Sequence, residues 1–361
     1  MSVEAKMSVN AASLAERLAR PELLSLEPYQ SARRIGGEGQ IWINANESPF
    51  NNSELVGLNR YPECQPPELI QRYADYAGLS SRQVLTSRGA DEAIELLIRT
   101  FCIPGHDTIA CFGPTYGMYA ISAQTFNIDV NALRLDATYQ LPQDLPSQVG
   151  DAKLVFICNP NNPTGTVIEP DAIEAVIRSL PDTLVVVDEA YIEFCPDYSV
   201  ASLLDKYDNL VVLRTLSKAF ALAGARCGFM LANPEVIEMV MRVIAPYPVP
   251  LPVAKLAIEA LSTEGIERMQ TQVDTLKANG ERLAAALTAA GARVLPAFGN
   301  FVLAYFDQAN EISVGEMQAR LKQAGVVARA YKDPVLADAI RFSFTSDEQT
   351  DALLALLSQR P

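Results

Sequence analysis

A chain of 361 residues, 49% hydrophobic and 20% charged, is long enough for two domains, or for one large domain carrying a smaller one. A formal net charge of −14 argues against a nucleic-acid surface, and an anionic small substrate would need a local cluster of arginines. One histidine (His106), six scattered cysteines and no apolar run near the roughly 20 residues of a membrane span point to a cytoplasmic protein. They leave no His-based metal site and no Ser-His-Asp triad.

Residues 1–22 read as a mobile start followed by a short helix, about Ala12 to Leu18. Pro28-Tyr29-Gln30-Ser31-Ala32-Arg33-Arg34 leads to a flexible Gly36-Gly37-Glu38-Gly39. Ile41-Trp42-Ile43 reads as a short strand ending in the polar run Asn44-Ala45-Asn46-Glu47-Ser48-Pro49, and Tyr61-Pro62 opens a turn before a helix from Pro67 to Tyr76. Thr86 to Glu92 enters a helix with Ile94, Leu97, Ile98 and Phe101 on one face. Its glycine-bearing start leaves backbone N–H groups for an anion. Asp91 and Glu92 already satisfy the helix dipole, so a plain capped helix is the other reading.

The strand Thr108–Phe112 ends near Tyr116, an aromatic that covers a planar ligand or simply packs. The strand Lys153–Cys158 ends in Asn159-Pro160-Asn161-Asn162-Pro163-Thr164-Gly165, a rigid turn able to aim an asparagine amide. A helix follows from Pro170 to about Leu180. The β-branched run Thr183–Val187 predicts a fully buried strand that delivers Asp188 at its end, followed by Glu189 and Tyr191. A carboxylate there needs a positive partner: a protonated ring nitrogen, or an arginine.

The strand Leu210–Leu213 leads through Arg214-Thr215-Leu216 to Ser217-Lys218, with Arg226 eight residues on and a further apolar run from Cys227 to Leu231. Ligands of α/β proteins sit beyond the carboxyl ends of the strands. Desolvation and a nearby arginine both favour the neutral amine, which can attack a carbonyl to form a Schiff base. Ser217 and Arg226 suit a phosphate; a solvated lysine is the alternative. A helix opens at Asn233-Pro234, a long helical region covers about Val253 to Ala290, and the remainder reads as an α+β unit. In it Asn300–Tyr305, Val326–Tyr331 and Ala339–Phe344 are strands, and Val314–Ala324 is a helix. Ser346 with Gln349 predicts a capping box for the last helix. Arg329 and Arg341 each lie in an apolar strand and call for an anionic substrate or a structural carboxylate. There is no Gly-x-Gly-x-x-Gly and no Gly-x4-Gly-Lys-Ser/Thr, which weakens nucleotide readings.

These strand ends together describe a flat, phosphorylated pyridine aldehyde as ligand. Asn162-Pro163-Thr164-Gly165, Asp188-Glu189-Ala190-Tyr191 and Ser217-Lys218 followed by Arg226 resemble the motifs of the fold-type-I pyridoxal-phosphate aminotransferases over nearly the whole chain. Within them the chain is most similar to the histidinol-phosphate aminotransferases. The stretches carrying this are Pro28–Arg33, Asn44–Glu47, Ser87–Glu92, Arg214–Gly228, Ile244–Pro248 and Gly299–Phe301. Only Pro252 and Ala225 depart from the pattern, away from the chemistry.

The resemblance implies an α/β fold: a large domain with a mostly parallel sheet sandwiched by helices, plus a smaller α+β domain. Its division would be 1–52 (arm and part of the small domain), 53–265 (large domain) and 266–361 (small domain). It implies pyridoxal 5′-phosphate on Lys218, with Asp188 at the ring nitrogen and Asn162 and Tyr191 at the phenolic oxygen. Tyr116 would stack on the ring. Gly89, Ala90, Asp91, Ser217 and Arg226 would hold the phosphate, with Tyr61 reaching that of a neighbouring subunit in a homodimer. Arg329 and Arg341 would anchor the anionic ends of histidinol phosphate and glutamate or 2-oxoglutarate, with Tyr29 and Asn46 nearby. An aromatic amino acid aminotransferase and a threonine-phosphate decarboxylase-like enzyme are the alternatives.

Overall fold

The computed structural model describes residues 12–36, 40–306 and 312–358. Most of the expected mobile start lies outside the described residues, as does Gly37–Gly39.

The larger sheet has seven strands: β1 (Val84–Ser87), β2 (Thr108–Gly113), β3 (Asp129–Arg134), β4 (Leu154–Cys158), β5 (Leu184–Asp188), β6 (Leu210–Thr215) and β7 (Gly228–Ala232). Their order is β1-β7-β6-β5-β4-β2-β3, parallel throughout except that β7 runs against both its neighbours. The runs of valine and leucine in β5 and β6 leave no polar face, which suits a sheet covered on both sides. Alternate residues accordingly feed two cores. Val185, Val187 and Val212 pack with the helices Pro67–Ala77, Pro170–Ser179 and Leu251–Ala260. Leu184, Val186, Val211 and Leu213 pack with Gly89–Phe101, Met118–Thr125 and Pro234–Val240. Burying each such side chain contributes roughly 1.5–3 kcal/mol.

The smaller sheet comprises β8 (Arg293–Val294), β9 (Phe301–Tyr305), β10 (Arg329–Ala330) and β11 (Ala339–Ser343) in the antiparallel order β10-β11-β9-β8. Leu283 and Leu287 of the helix Thr263–Ala289, Met317 and Leu321 of Val314–Gln323 and Leu357 of Asp347–Leu357 build a separate core with Val302, Ala304, Ile340 and Phe342. The architecture is the expected α/β one, with a small antiparallel sheet beside a mostly parallel one.

Four local expectations are corrected. Ile41-Trp42-Ile43 forms no strand: Ile41 and Ile43 are 83% and 88% exposed, and among the described residues no strand pairs with the segment. The helical region after Val253 is two helices, because Ser262 stops one and caps the next, accepting from the Gly265 N–H at 3.1 Å. The strand over Val326–Tyr331 shrinks to β10, the two residues that oppose Arg341 and Ile340. Ser346 caps the last helix through the Gln349 N–H, but the Gln349 side chain is taken by the Thr345 hydroxyl, so the box is half made.

Candidate active site

Register sets the site. Cys158 pairs with Asp188, Asp188 with Leu213, and both Thr215 and Ser87 with Gly228, so β1, β4, β5 and β6 end along one edge. Beyond that edge lies a cavity of about 520 Å³, of a size that takes a small molecule. Ala90, Asp91, Tyr116, Asn162, Asp188, Tyr191, Ser217, Lys218, Arg226, Arg329 and Arg341 all line it. Gly89 is buried just behind. Tyr29, Asn46 and Tyr61 are exposed and do not line it.

Asp188 is buried at the floor, and among the described residues no arginine pairs with it. The Tyr119 hydroxyl donates to one carboxylate oxygen at 2.6 Å and the Ala190 N–H to the other at 3.1 Å. Burial dominates and pushes the acid up to about 6, against the pull of the Tyr119 bond. Arg214, in β6, pairs with the neighbouring Glu189 instead, reaching that carboxylate at 2.8 Å.

Lys218 is half-buried, its Nζ 5.4 Å from the centroid of the Tyr191 ring. Desolvation lowers its pKa, Arg341 lowers it further, and Asp91 and Asp188 oppose them. The amine is thus pressed towards its nucleophilic form.

Of the three asparagines after β4, two stitch the loop. Asn159 exchanges hydrogen bonds with the Ile168 backbone, and Asn161 donates to the Pro114 carbonyl and the Thr164 hydroxyl. Only Asn162 faces the cavity, donating to the Tyr191 hydroxyl at 3.3 Å and accepting from Arg341 at 2.5 Å.

Across the cavity lies an anion seat. Arg226 donates to the Ser217 hydroxyl at 3.2 Å and to Asp91 at 3.1 Å, and the Thr215 hydroxyl fixes Ser217 from behind at 2.9 Å. No side chain caps the helix that starts at Gly89. Gly89 itself has φ +78°, and a Cβ on Gly228 would lie 2.5 Å from the Gly89 carbonyl carbon. Only glycine lets β7 come this close to the helix start. Tyr116 is tethered by its hydroxyl to Asp91 at 2.8 Å, which fixes its ring beside the cavity.

The "Aminotransferase class I and II" family matches residues 40–357. The chain belongs to this family. The histidinol-phosphate aminotransferase of Shewanella oneidensis is 64% identical, over 98% of this chain and 92% of its own. Among solved structures, the histidinol-phosphate aminotransferase from Clostridium acetobutylicum superposes with a TM-score of 0.75 at 25% identity, covering 83% of this chain and 90% of that one. The one from Sinorhizobium meliloti, solved in complex with pyridoxal-5′-phosphate, gives 0.75 at 23% identity over 87% and 88%. At that identity the likeness is one of fold.

The aminotransferase cavity also contains groups that sequence reading missed. Tyr119, three residues after Tyr116 and stacked on Phe156 with ring centroids 4.8 Å apart, reads as core and is core, yet its hydroxyl is what reaches Asp188. Thr215 has a signal in hindsight, as the hydroxyl two residues before Ser217. Tyr331 lines the wall formed by the smaller sheet.

Proposed function

We propose that the protein is a pyridoxal 5′-phosphate-dependent aminotransferase that converts L-histidinol phosphate and 2-oxoglutarate into imidazole acetol phosphate and L-glutamate, in L-histidine biosynthesis. The observation that carries this reading is one cavity holding a depressed lysine, a buried uncompensated acid, an anion seat and two arginines. The 64% relative supports the choice of substrate.

The cofactor fits the residues present. Among the described residues Asp188 has two hydrogen-bond donors and no salt-bridge partner, Lys218 acting on it only from a distance, so a ring N–H⁺ would meet its charge. Ser217, Arg226 and the uncapped backbone from Gly89 to Asp91 match a phosphate. When bound, pyridoxal phosphate supplies an aldehyde that condenses with amines and a ring that withdraws electrons from the adjacent carbon.

Lys218 would hold the cofactor aldehyde through its ε-amine, and the same amine, when free, is the group placed to take and return a proton at the substrate Cα. Asp188 keeps the ring nitrogen protonated. Asn162 and Tyr191 donate to the phenolic oxygen, and Tyr116 covers the ring face. Arg341 and Arg329 take the anionic end of each amino substrate in turn, since a planar guanidinium suits carboxylate and phosphate alike.

The working unit is a homodimer. Ile41, Ile43, Phe50 and Val56 are each at least 80% exposed on one arm, apolar side chains that a partner subunit would cover. Glu47 pins that arm, accepting from Arg60 and from the Tyr61 N–H, both at 2.7 Å. Tyr61 stacks on Tyr247 with centroids 4.4 Å apart, away from its own cavity, in keeping with service to the partner's. Tyr29 and Asn46 belong to the same exposed segment. Among the described residues no helix is long and apolar enough to cross a membrane. The six buried free cysteines suit the cytoplasm.

Borohydride reduction and peptide mass spectrometry are expected to find the cofactor on Lys218. Lys218→Ala is expected to lose the visible absorbance and all turnover of histidinol phosphate. A colourless protein with nothing fixed to Lys218 would end the enzyme reading. Carbon dioxide in place of glutamate would replace it with a decarboxylase, and faster turnover of phenylalanine with an aromatic aminotransferase.

A further inference from the structure

Two buried polar atoms on the wall formed by the smaller sheet have no hydrogen-bond partner among the described residues: the Tyr331 hydroxyl and the Arg341 Nε. Both residues line the cavity. Neither Arg341 nor Arg329, which face each other across β10 and β11, has a carboxylate partner among the described residues. The Tyr331 ring packs against Leu303, Tyr305, Leu336 and Ala339, with the Arg329 guanidinium 5.9 Å from its centroid. Burial raises the phenol's pKa, while Arg341 and then Arg329 pull it down, so both cations face it and it stays a donor at neutral pH. A buried O–H with no partner among the described residues, in the field of two guanidinium groups that line the same cavity, calls for an anion.

We propose that Tyr331 is a specificity residue that donates its hydroxyl hydrogen bond to the phosphate monoester of the amino substrate, completing with Arg341 and Arg329 a seat for three terminal oxygens. This rests on the transaminase reading above. A carboxylate offers two oxygens, which the arginine forks can satisfy alone. A phosphate monoester offers a third, and the phenol is the donor left for it. Tyr331 thereby distinguishes the phosphorylated amine from glutamate while both use the same arginines. Its ring is held by apolar packing, so the hydroxyl waits in place and little order is lost on binding.

Tyr331→Phe removes the hydroxyl alone and keeps the packing, so an unchanged Tm is the control. In the holoenzyme, KM for histidinol phosphate is expected to rise about tenfold or more, with KM for glutamate within about twofold, as for loss of a hydrogen bond to a charged group. Calorimetric titration of inorganic phosphate into the holoenzyme, whose cofactor phosphate already fills the seat at Ser217 and Arg226, is expected to show a similar loss. Equal effects on both substrates, or none on either together with unchanged phosphate affinity, would overturn the proposal. If the wild-type enzyme turns over no histidinol phosphate, the substrate reading fails on its own. The phosphate titration then still decides whether Tyr331 belongs to an oxyanion seat.

Discussion

Asp188 shows how a site can be prepared for a cation before the cation arrives. Its carboxylate is buried, and two donors hold its oxygens without neutralising its charge. Of these, the Tyr119 hydroxyl is the one a substitution can remove, and it favours the ionised form. Tyr119→Phe is therefore expected to push the acid above about 6, by roughly one pH unit for a hydrogen bond worth about 1 kcal/mol. Below its pKa the acid is neutral and holds a ring N–H⁺ poorly. Cofactor affinity, which reads the acid before the cation arrives, should therefore fall at pH 6 more than at pH 8. A profile that superposes on wild type would show that Tyr119 only packs. Asp188 was legible in the sequence because a charge terminating a run of valines has to be explained. Tyr119 was not, since a tyrosine one helical turn past Tyr116 is indistinguishable from core until its hydroxyl is located.

Elements were legible where burial acts on both faces and lost where it acts on one or none. β4, β5 and β6 announce themselves as apolar runs. β3, an edge strand alternating exposed and half-buried residues, carries Asp129, Asn131 and Arg134 and gave no signal. Ile41-Trp42-Ile43 gave a false one, because its apolar residues face outward on the arm. The junction of β1, β7 and the helix at Gly89 was half legible: the glycine-bearing entry was visible, but the partner strand that crowds it was not. Gly228→Ala tests that junction. Its new methyl group would sit 2.5–2.8 Å from the backbone of Gly89 and Ala90, where no flexible side chain can yield. β7 must then shift from the helix start and spread the anion seat. The expected outcome is a loss of about 1–3 kcal/mol in stability, with cofactor affinity down at least tenfold. Urea unfolding and cofactor titration measure the two. Wild-type affinity would mean that the seat does not depend on this approach.

At the scale of the whole molecule, the strand ends rest on a buried charge network that the sequence did not suggest, since its members lie far apart in the chain. Glu189 accepts from Arg214, Ser199 and the Val200 N–H, tying β5 to β6 behind the cavity. We propose that the chain divides into an arm with part of the small domain at 1–52, a large domain at 53–265 and a small domain at 266–361. The second division falls in the first turn of the helix that begins at Thr263, beside the break at Leu261-Ser262.

Glu193 lies beside this network, one of its oxygens without a hydrogen-bond partner among the described residues. Burial pushes its carboxyl up to about 7, against Arg214, with Glu189 adding repulsion. A folded pKa above the unfolded 4.5 means that stability is full below about 4.5 and is lost as pH rises through about 7. Asp188 acts in the same direction over the window from 3.8 to about 6, but a bound cofactor brings a cation to Asp188 and none to Glu193. In the holoenzyme the loss between about pH 4.5 and pH 7 should therefore belong to Glu193. Glu193→Gln, nearly isosteric and never charged, is expected to match wild type at pH 5 and to exceed it at pH 8. The gain should be up to about 3 kcal/mol, the most such a shift can supply. Urea midpoints of the holoenzyme at the two pH values read it directly. A variant less stable than wild type at pH 8 would show that the Glu193 charge sustains Arg214 instead of burdening the fold.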